Sequence, residues 1–256
     1  MTRAQPAGWR DLDEELARWA AAGRIATFWW RDDDAGLATP ALARLLDLTT
    51  GHGIVPLLAT VPDWAAPSLP GLLADHAAAA AQHGIGHRDR SGGVGKKTEL
   101  IDGLPDLEDA LRDGRVRLET LLGPRLLPVL VPPWNRIAPD LRGRLGPLGY
   151  RGLSAYRPRA AAREGAVTVV NCHCDPVAWH QGRVFAGEAA AIGQVVAHLR
   201  DRRQGRVDAD EPTGILTHHA VHDSETWRFL EGLADRLALH PAASWQDPRR
   251  LFAGTP

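Results

Sequence analysis

Short apolar runs alternate along the chain with segments in which apolar residues recur at helical spacing. The apolar runs predict buried strands, and the helical spacing predicts amphipathic helices. Strands are predicted at residues 25–30, 54–60, 126–131, 152–156, 166–171 and 214–217. Helices are predicted at residues 11–22, 40–50, 69–82, 104–122, 139–148, 187–203 and 224–240. Proline at position 40 and glycine at position 51 mark the two ends of one such helix.

Strands that alternate with helices are typical of a parallel sheet with helical crossovers. With a weak strand around His83, the pattern gives about seven strand–helix units, which favours a distorted seven-stranded (β/α) barrel over an open doubly wound sheet. No glycine-rich phosphate motif follows the first strand, which disfavours a dinucleotide-binding fold. No linker divides the chain, so we predict a single domain over 1–256, with an N-terminal helix (1–23), a barrel (24–240) and a C-terminal tail (241–256).

Composition narrows the function classes. The 256 residues are 44% hydrophobic and 24% charged, as in ordinary globular proteins, and the net charge of −1 predicts no nucleic-acid partner. No apolar run approaches the roughly 20 residues that span a bilayer, and the N-terminus lacks the pattern of a signal peptide. Two cysteines, Cys172 and Cys174, are expected to be reduced and to share one strand face. The predicted compartment is the cytoplasm; nothing predicts the oligomeric state.

Acids and histidines gather where the predicted strands end, which is where active sites of such folds lie. The acids and histidines are Asp32–Asp34, the pair His83 and His87, the residues His173 and Asp175, and the group His218, His219 and His222. The segment 132–136, which also follows a predicted strand, is a further candidate. Each has a simpler interpretation alone, such as a solvated turn or a surface histidine. Their shared location favours a common site. A carboxylate with two imidazoles suits zinc or a similar divalent ion with an open position for water.

The order of these motifs resembles the polysaccharide deacetylase family, also called the NodB homology domain, over most of the chain. The segment Arg31-Asp32-Asp33-Asp34-Ala35-Gly36 is similar to the family's first motif. This register implies that Asp33 is the general base and Asp34 a metal ligand; a register one residue earlier, on Asp32 and Asp33, stays open. His83 and His87 match the second motif, the histidine pair that completes the ligand set.

Three later segments extend the resemblance. The segment from Val131 to Asn135 is similar to the third motif. Val131, however, lies near the position where the family usually has an arginine, so Arg31 or Arg136 would have to replace that arginine. The segment from Asp175 to Trp179 is similar to the fourth motif, and the run that ends at His218 is similar to the fifth.

The resemblance implies removal of an acetyl group from an N- or O-acetylated sugar or glycoconjugate. It implies a divalent metal, expected to be Zn²⁺ with Co²⁺, Ni²⁺ or Mn²⁺ as alternatives, held by Asp34, His83 and His87. His218 would be the general acid, oriented by Asp175. The substrate-binding residues would be Trp134, Asn135, Arg136, His173 and Arg31.

Some features keep other interpretations open. The missing third-motif arginine is compatible with a related C–N hydrolase for a small non-sugar amide, or with a catalytically silent carbohydrate-binding domain. His173 would either reach the pocket or contact the residues that line it. Trp64 and Trp134 follow strands and suit stacking on a sugar ring. Lys96 and Lys97, in the polar loop 88–103, fit a solvated loop or a grip on an anionic substrate, and the solvated loop is the simpler interpretation.

Overall fold

The computed structural model describes residues 8–93 and 95–253, in which strands and helices alternate as the sequence predicts. The strands are β1 (Ala26–Ala35), β2 (Leu57–Thr60), β3 (Ala79–His83), β4 (Leu126–Val131), β5 (Gly152–Leu153), β6 (Arg163–Glu164), β7 (Val167–Val169), β8 (Val177–Ala178), β9 (Val184–Phe185), β10 (Thr213–Thr217) and β11 (Ala243–Trp245). The helices are α1 (Trp9–Ala21), α2 (Pro40–Gly51), α3 (Ser68–Leu73), α4 (Leu107–Leu122), α5 (Pro139–Arg144), α6 (Glu188–Arg203), α7 (Ser224–Leu239) and α8 (Pro248–Leu251).

The main sheet runs in the order β10-β1-β2-β3-β4-β5-β7, and every neighbouring pair in this series is parallel. Isolated bridges Tyr156↔Cys172 and Cys174↔Ile215 then connect the segment after β7 to β5 and to β10. The sheet therefore returns on itself as a distorted seven-stranded barrel, which confirms the predicted fold class. Strand β6 pairs with β7, and β11 with β1, outside this ring.

Successive side chains of β1 point to opposite faces of the sheet and pack in two different apolar clusters. Trp29 is fully buried in one cluster with Leu57, Ala59 and Val131 from β2 and β4, and its Nε1 donates to the Asn171 carbonyl at 3.0 Å. The neighbouring Phe28 and Trp30 pack in a different cluster, which includes residues of α1, α2, α6 and α7. Truncation of such a buried tryptophan to alanine costs about 3–5 kcal/mol. These clusters hold the carboxyl ends of the strands in place.

Tertiary packing overrides local propensity at the alanine-rich segment. The predicted helix at 69–82 divides into α3 (Ser68–Leu73) and strand β3 (Ala79–His83). Alanine favours helices in isolation, but β3 pairs with β2 and with β4, and all five of its residues are buried. The weak strand expected around His83 is therefore real, and it begins at Ala79.

Two smaller features concern the start of α7 and the cysteines. The N-cap of α7 is Asp223, whose side chain accepts from the Thr226 backbone N–H. Cys172 and Cys174 are free and buried, as expected, but they pack in different apolar clusters and do not share a face. The segment between β7 and β8 that carries them pairs with its neighbours only through isolated bridges among the described residues, so strict alternation of side chains fails there.

Candidate active site

Strand β1 extends through the acid cluster, which is therefore part of the sheet and not a solvated turn. Arg31 and Asp32 are fully buried, and Asp33 is 2% exposed. The register with β2 shifts between Asp32 and Ala35, and Asp34 adopts a positive φ of 68°. A non-glycine residue in this conformation stores strain of about 1–3 kcal/mol, which is typical of functional positions.

Asp34 lies between the two histidines of the HxxxH pair. Its Oδ1 is 3.4 Å from Nε2 of His83 and 3.3 Å from Nε2 of His87. Burial acts to raise the pKa of Asp34, but the surrounding imidazoles of His83, His218 and His87 outweigh it and lower the pKa overall. Oδ1 is buried with no hydrogen-bond partner in the described residues. One carboxylate and two imidazoles that converge on this point fit a divalent ion, with Asp34, His83 and His87 as ligands.

A hydrogen bond to the backbone fixes the tautomer of His83. Its Nδ1–H donates to the Val131 carbonyl at 2.9 Å, so the Nε2 lone pair of the neutral ring faces Asp34. Metal-ligating histidines are usually oriented in this way. The ring of His87 packs against Trp134 at 4.3 Å and against Trp64 at 5.5 Å between ring centroids. The two candidate ligand histidines thus differ in their support: His83 donates to a backbone carbonyl, and His87 packs against two tryptophan rings.

Glu99, for which no role was predicted from the sequence, binds the backbone of the loop that joins the two histidines. Its carboxylate accepts from the backbone N–H groups of Ile85, Gly86 and Arg88 at 2.9–3.0 Å, and the residue is fully buried. Gly84 has φ of 59°, and a Cβ there would lie 2.2 Å from Glu99 Oε2. The only signal in the sequence is an acid in the polar loop shortly after the histidine pair.

Arg31 holds Asp33 by two hydrogen bonds. Nε donates to Oδ1 at 2.8 Å and Nη2 to Oδ2 at 3.0 Å. Nη1 donates to Ser154 Oγ and to the Ala155 carbonyl, and Nη2 also donates to Asn135 Oδ1. All five N–H groups of the guanidinium are thereby used. This corrects the prediction that Arg31 binds substrate: it is enclosed, and its role is to orient Asp33.

The segment after β4 borders the metal ligands. Trp134 and Asn135 have φ of 53° and 57°, so two successive residues are left-handed. This turn places the Trp134 ring beside His87 and the Asn135 amide beside Arg31. Arg136 makes no contact with Asp33, and its Nη1 donates instead to the Lys97 carbonyl at 2.6 Å. Arg136 therefore does not replace the missing third-motif arginine; Arg31 contacts Asp33 instead.

His218 follows β10 on the other side of Asp33. Its Nε2 is 4.0 Å from Asp33 Oδ2, and its Nδ1 is buried without a hydrogen-bond partner in the described residues. The ring of Trp179 meets it edge-on at 4.6 Å, and the Trp179 Nε1 donates to Asp175 Oδ2 at 2.7 Å. Burial raises the pKa of Asp175 against the opposing charge of His218. Asp175 thus acts on His218 through charge and through Trp179, and no hydrogen bond joins the two in the described residues.

Asp32 is turned away from these groups. Its Oδ2 accepts from Thr217 Oγ1 at 2.7 Å and from the His219 backbone N–H, and its Oδ1 lies 2.5 Å from His219 Nδ1. Both partners belong to the end of β10 or the residues just after it. Asp32 and His219 therefore connect the strand that carries Asp33 to the one that carries His218.

His173 lies in a second cluster with His198 and Glu211, which corrects its assignment to substrate binding. Its Nδ1 accepts from the Gly214 backbone N–H at 3.0 Å, and its ring stacks on His198 at 3.4 Å. The neutral ring must then carry its proton on Nε2, which is 3.3 Å from Glu211 Oε2. Burial, with the charges of nearby arginines, lowers the pKa of His173 to about 3. A protonated Nε2 is no metal ligand, so His173 is not available to an ion in this tautomer, although its Nε2 and that of His198 are buried without a hydrogen-bond partner in the described residues.

Comparisons with known proteins rest on structure alone, because the sequence matches no protein-family model and no curated protein. A polysaccharide deacetylase from Mycobacterium smegmatis, described as putative, aligns with a TM-score of 0.57 at 15% identity, over 99% of this chain and 94% of that one. The chain has the polysaccharide deacetylase fold. A family 4 acetyl xylan esterase from Clostridium thermocellum, in complex with a cobalt ion, aligns with a TM-score of 0.51 at 14% identity, over 89% and 90% of the two chains.

The polysaccharide deacetylase fold does not by itself decide activity. A CE4 family pseudoenzyme from Bacillus anthracis also aligns, with a TM-score of 0.55 at 12% identity, over 89% of this chain and 66% of that one. Function must therefore be argued from the residues at the carboxyl ends of the strands. In the part of the chain that the structure describes, no helix has the length and apolar character required to span a membrane.

Proposed function

We propose that this chain is a metal-dependent hydrolase that removes an acetyl group from an N- or O-acetylated sugar or glycoconjugate. The observation that carries the proposal is the convergence of Asp34, His83 and His87 on one point, with the buried Oδ1 of Asp34 lacking any other partner. A carboxylate oriented by Arg31 lies beside this point, and His218 lies beyond it. Structural neighbours that include a deacetylase with substrate and an acetyl xylan esterase support the choice of substrate class.

Asp34, His83 and His87 would hold the ion, which is zinc or, with the same ligands, cobalt, nickel or manganese. When bound, such an ion polarises a carbonyl oxygen and lowers the pKa of water toward neutrality. The chain leaves coordination positions for water and substrate because it supplies three ligands. This arrangement suits hydrolysis of an amide or an ester.

Asp33 and His218 would move the protons. Arg31 fixes both oxygens of Asp33, so that the carboxylate is oriented to accept a proton from the attacking water. His218, 4.0 Å from Asp33, would donate a proton to the departing amine or alcohol. Asp175 and Trp179 confine the His218 ring from the other side. The Trp134 backbone N–H, in its strained turn, is the candidate donor to the developing oxyanion.

Acetate release from a panel of acetylated sugars and small amides by zinc-loaded protein tests the proposal. We expect Asp33→Asn to retain the metal and to lower kcat by about 10²–10⁴-fold, the usual contribution of a general base. Asp113→Asn, an exposed acid on α4, is the matched control and should leave kcat unchanged. Acetate release from small amides alone would indicate that the substrate is not a sugar. Metal binding with no hydrolysis of any compound would indicate a catalytically silent domain.

A further inference from the structure

The loop between β3 and α4 carries the only two lysines of the chain, Lys96 and Lys97. The other 28 of the 30 basic residues are arginines. Both lysines are exposed, and the loop that bears them begins at the metal-ligand candidate His87. A lysine provides a compact, mobile charge on a flexible stem, which suits contact with a phosphate or carboxylate group. The strong bias toward arginine makes this adjacent pair an exception that calls for a local reason.

Three sets of hydrogen bonds hold the loop beside the candidate active site. Arg136 donates to the Lys97 carbonyl at 2.6 Å, and it directly follows Asn135, which contacts Arg31. At the base of the loop, the Arg90 N–H donates to the Thr98 carbonyl at 2.7 Å. Glu99 then binds the backbone of the loop between the two histidines. Lys97 is thus held between the segment of Trp134 and Asn135 and the segment of the metal ligands.

The cations of this loop form no ion pair with its own acids in the described residues, although the charge of Lys97, after the hydrogen bonds from Ser91 and Thr98, helps to lower the pKa of Asp89. Among the described residues, no carboxylate lies within 4 Å of the cationic groups of Arg90, Lys96, Lys97 or Arg136. The acids of the loop serve backbone groups instead: Asp89 accepts from the N–H groups of Ser91 and Thr98, and Glu99 is buried. Cations left without partners beside a site are available for an anionic ligand.

We propose that Lys96 and Lys97 form an anion-binding subsite, and that the substrate is an acetylated sugar that also carries a phosphate or carboxylate group. The proposal rests on the proposed deacetylase function, which it refines by substrate class. The half-exposed Trp64 and Trp134 flank His87 and offer aromatic surface for the sugar ring. The anionic group would then extend toward the loop, where Lys96 and Lys97 meet it as point charges.

The two lysines allow a direct binding measurement. Reductive ¹³C-methylation retains their charge and labels only Lys96, Lys97 and the chain's α-amino group. We expect N-acetylglucosamine 1-phosphate to shift both lysine signals in NMR spectra of the zinc-loaded protein, and N,N′-diacetylchitobiose to leave them in place. N-acetylmuramic acid tests the carboxylate as the source of the charge. Equal shifts with the neutral sugar, or none with either anionic sugar, would overturn the proposal.

Kinetics with the same sugars provides the second arm. Lys96→Ala/Lys97→Ala should raise KM about tenfold for whichever anionic sugar shifts the lysine signals, and should leave KM for chitobiose unchanged, since two partly exposed ionic contacts are lost. Lys96→Arg/Lys97→Arg should restore most of the affinity. Arg117→Ala/Arg200→Ala removes two exposed charges from α4 and α6 and is the control. Lysine shifts without any acetate release would refute the deacetylase function but keep the anion subsite. Acetate release that is indifferent to the lysines would refute the subsite alone.

Discussion

The described residues include two clusters of two histidines and one carboxylate, and the clusters differ in the backbone group that each histidine contacts. In the first cluster, His83 Nδ1 faces a carbonyl, that of Val131, and must donate. In the second, His173 Nδ1 faces the Gly214 N–H and must accept. The proton of the neutral ring is therefore on Nδ1 in one case and on Nε2 in the other. One backbone group therefore leaves Nε2 of the neutral ring without a proton in the first cluster and with a proton in the second.

The two clusters also differ in how exposed they are and in how far their carboxylates are hydrogen-bonded. The first cluster is partly open, with 27% of the Asp34 side chain exposed, and Asp34 Oδ1 has no partner other than the histidines. The second is closed, and the carboxylate of Glu211 already accepts from the backbone N–H groups of Arg159 and Asn171. The same residue types therefore form a candidate metal site in one place and a closed, buried cluster in the other. A count of histidines and acids cannot separate the two, because hydrogen-bond direction makes the difference.

The largest expected effect is on metal binding by the first cluster. We expect one divalent ion per chain, and we expect Asp34→Asn to raise the Kd for zinc by more than about 100-fold, beyond the range for loss of an outer-shell group. Isothermal titration and metal analysis measure this. Glu211→Gln is the matched control in the second cluster and should leave the stoichiometry unchanged. A second ion per chain that disappears in Glu211→Gln would contradict the distinction between the clusters.

A smaller effect is expected from the support of the first cluster. Glu99→Gln replaces one carboxylate oxygen by an amide NH₂, which would face a backbone N–H that now donates to Glu99. The loop that carries His87 would loosen, and the Kd for zinc should rise about 10–100-fold. Asp89→Asn is the control, because this acid lies in the same loop but contacts only loop backbone. Wild-type zinc affinity in Glu99→Gln would show that the His83–His87 segment holds its shape without this carboxylate.

The sequence was sufficient for the barrel and for the ligand candidates. Strand–helix alternation predicted the parallel barrel, and strand ends predicted that Asp34, His83, His87 and His218 would gather at one edge. The helix predicted at 69–82 was wrong because pairing with β2 and β4, which is invisible in a local window, decides the state of the alanine run.

Roles that depend on side-chain direction were harder to predict. Arg31 and Asp33 are two residues apart on one strand, and period-two alternation places them on the same face. That spacing indicates that Arg31 is able to contact Asp33 in place of the arginine that is usual in the third motif. The positions of His173 and Glu99 depend on contacts with Gly214 and with the loop backbone, and no spacing encodes them.

The smallest expected effect concerns the second cluster and the pH dependence of stability. Burial, followed by the charges of His173 and Arg202, lowers the pKa of His198 to about 2. A folded-state pKa below the unfolded value of 6.5 means that stability is fully present above pH 6.5 and is lost as the pH falls. From pH 6.5 to 5, this histidine alone should cost about 2 kcal/mol.

His198→Asn should therefore flatten the acid side of the stability curve by about 2 kcal/mol, even though its stability near pH 7 is lower. Glu211 acts in the opposite sense, since burial raises its pKa to about 7 and its contribution grows as the pH falls from 7 to 4.5. Because Glu211 is present in both proteins, the difference between the two curves isolates His198. Urea unfolding of metal-free protein at several pH values measures it, with His180→Asn, an exposed histidine, as the control. Parallel curves for wild type and His198→Asn would mean that the second cluster accepts protons as readily as the unfolded chain.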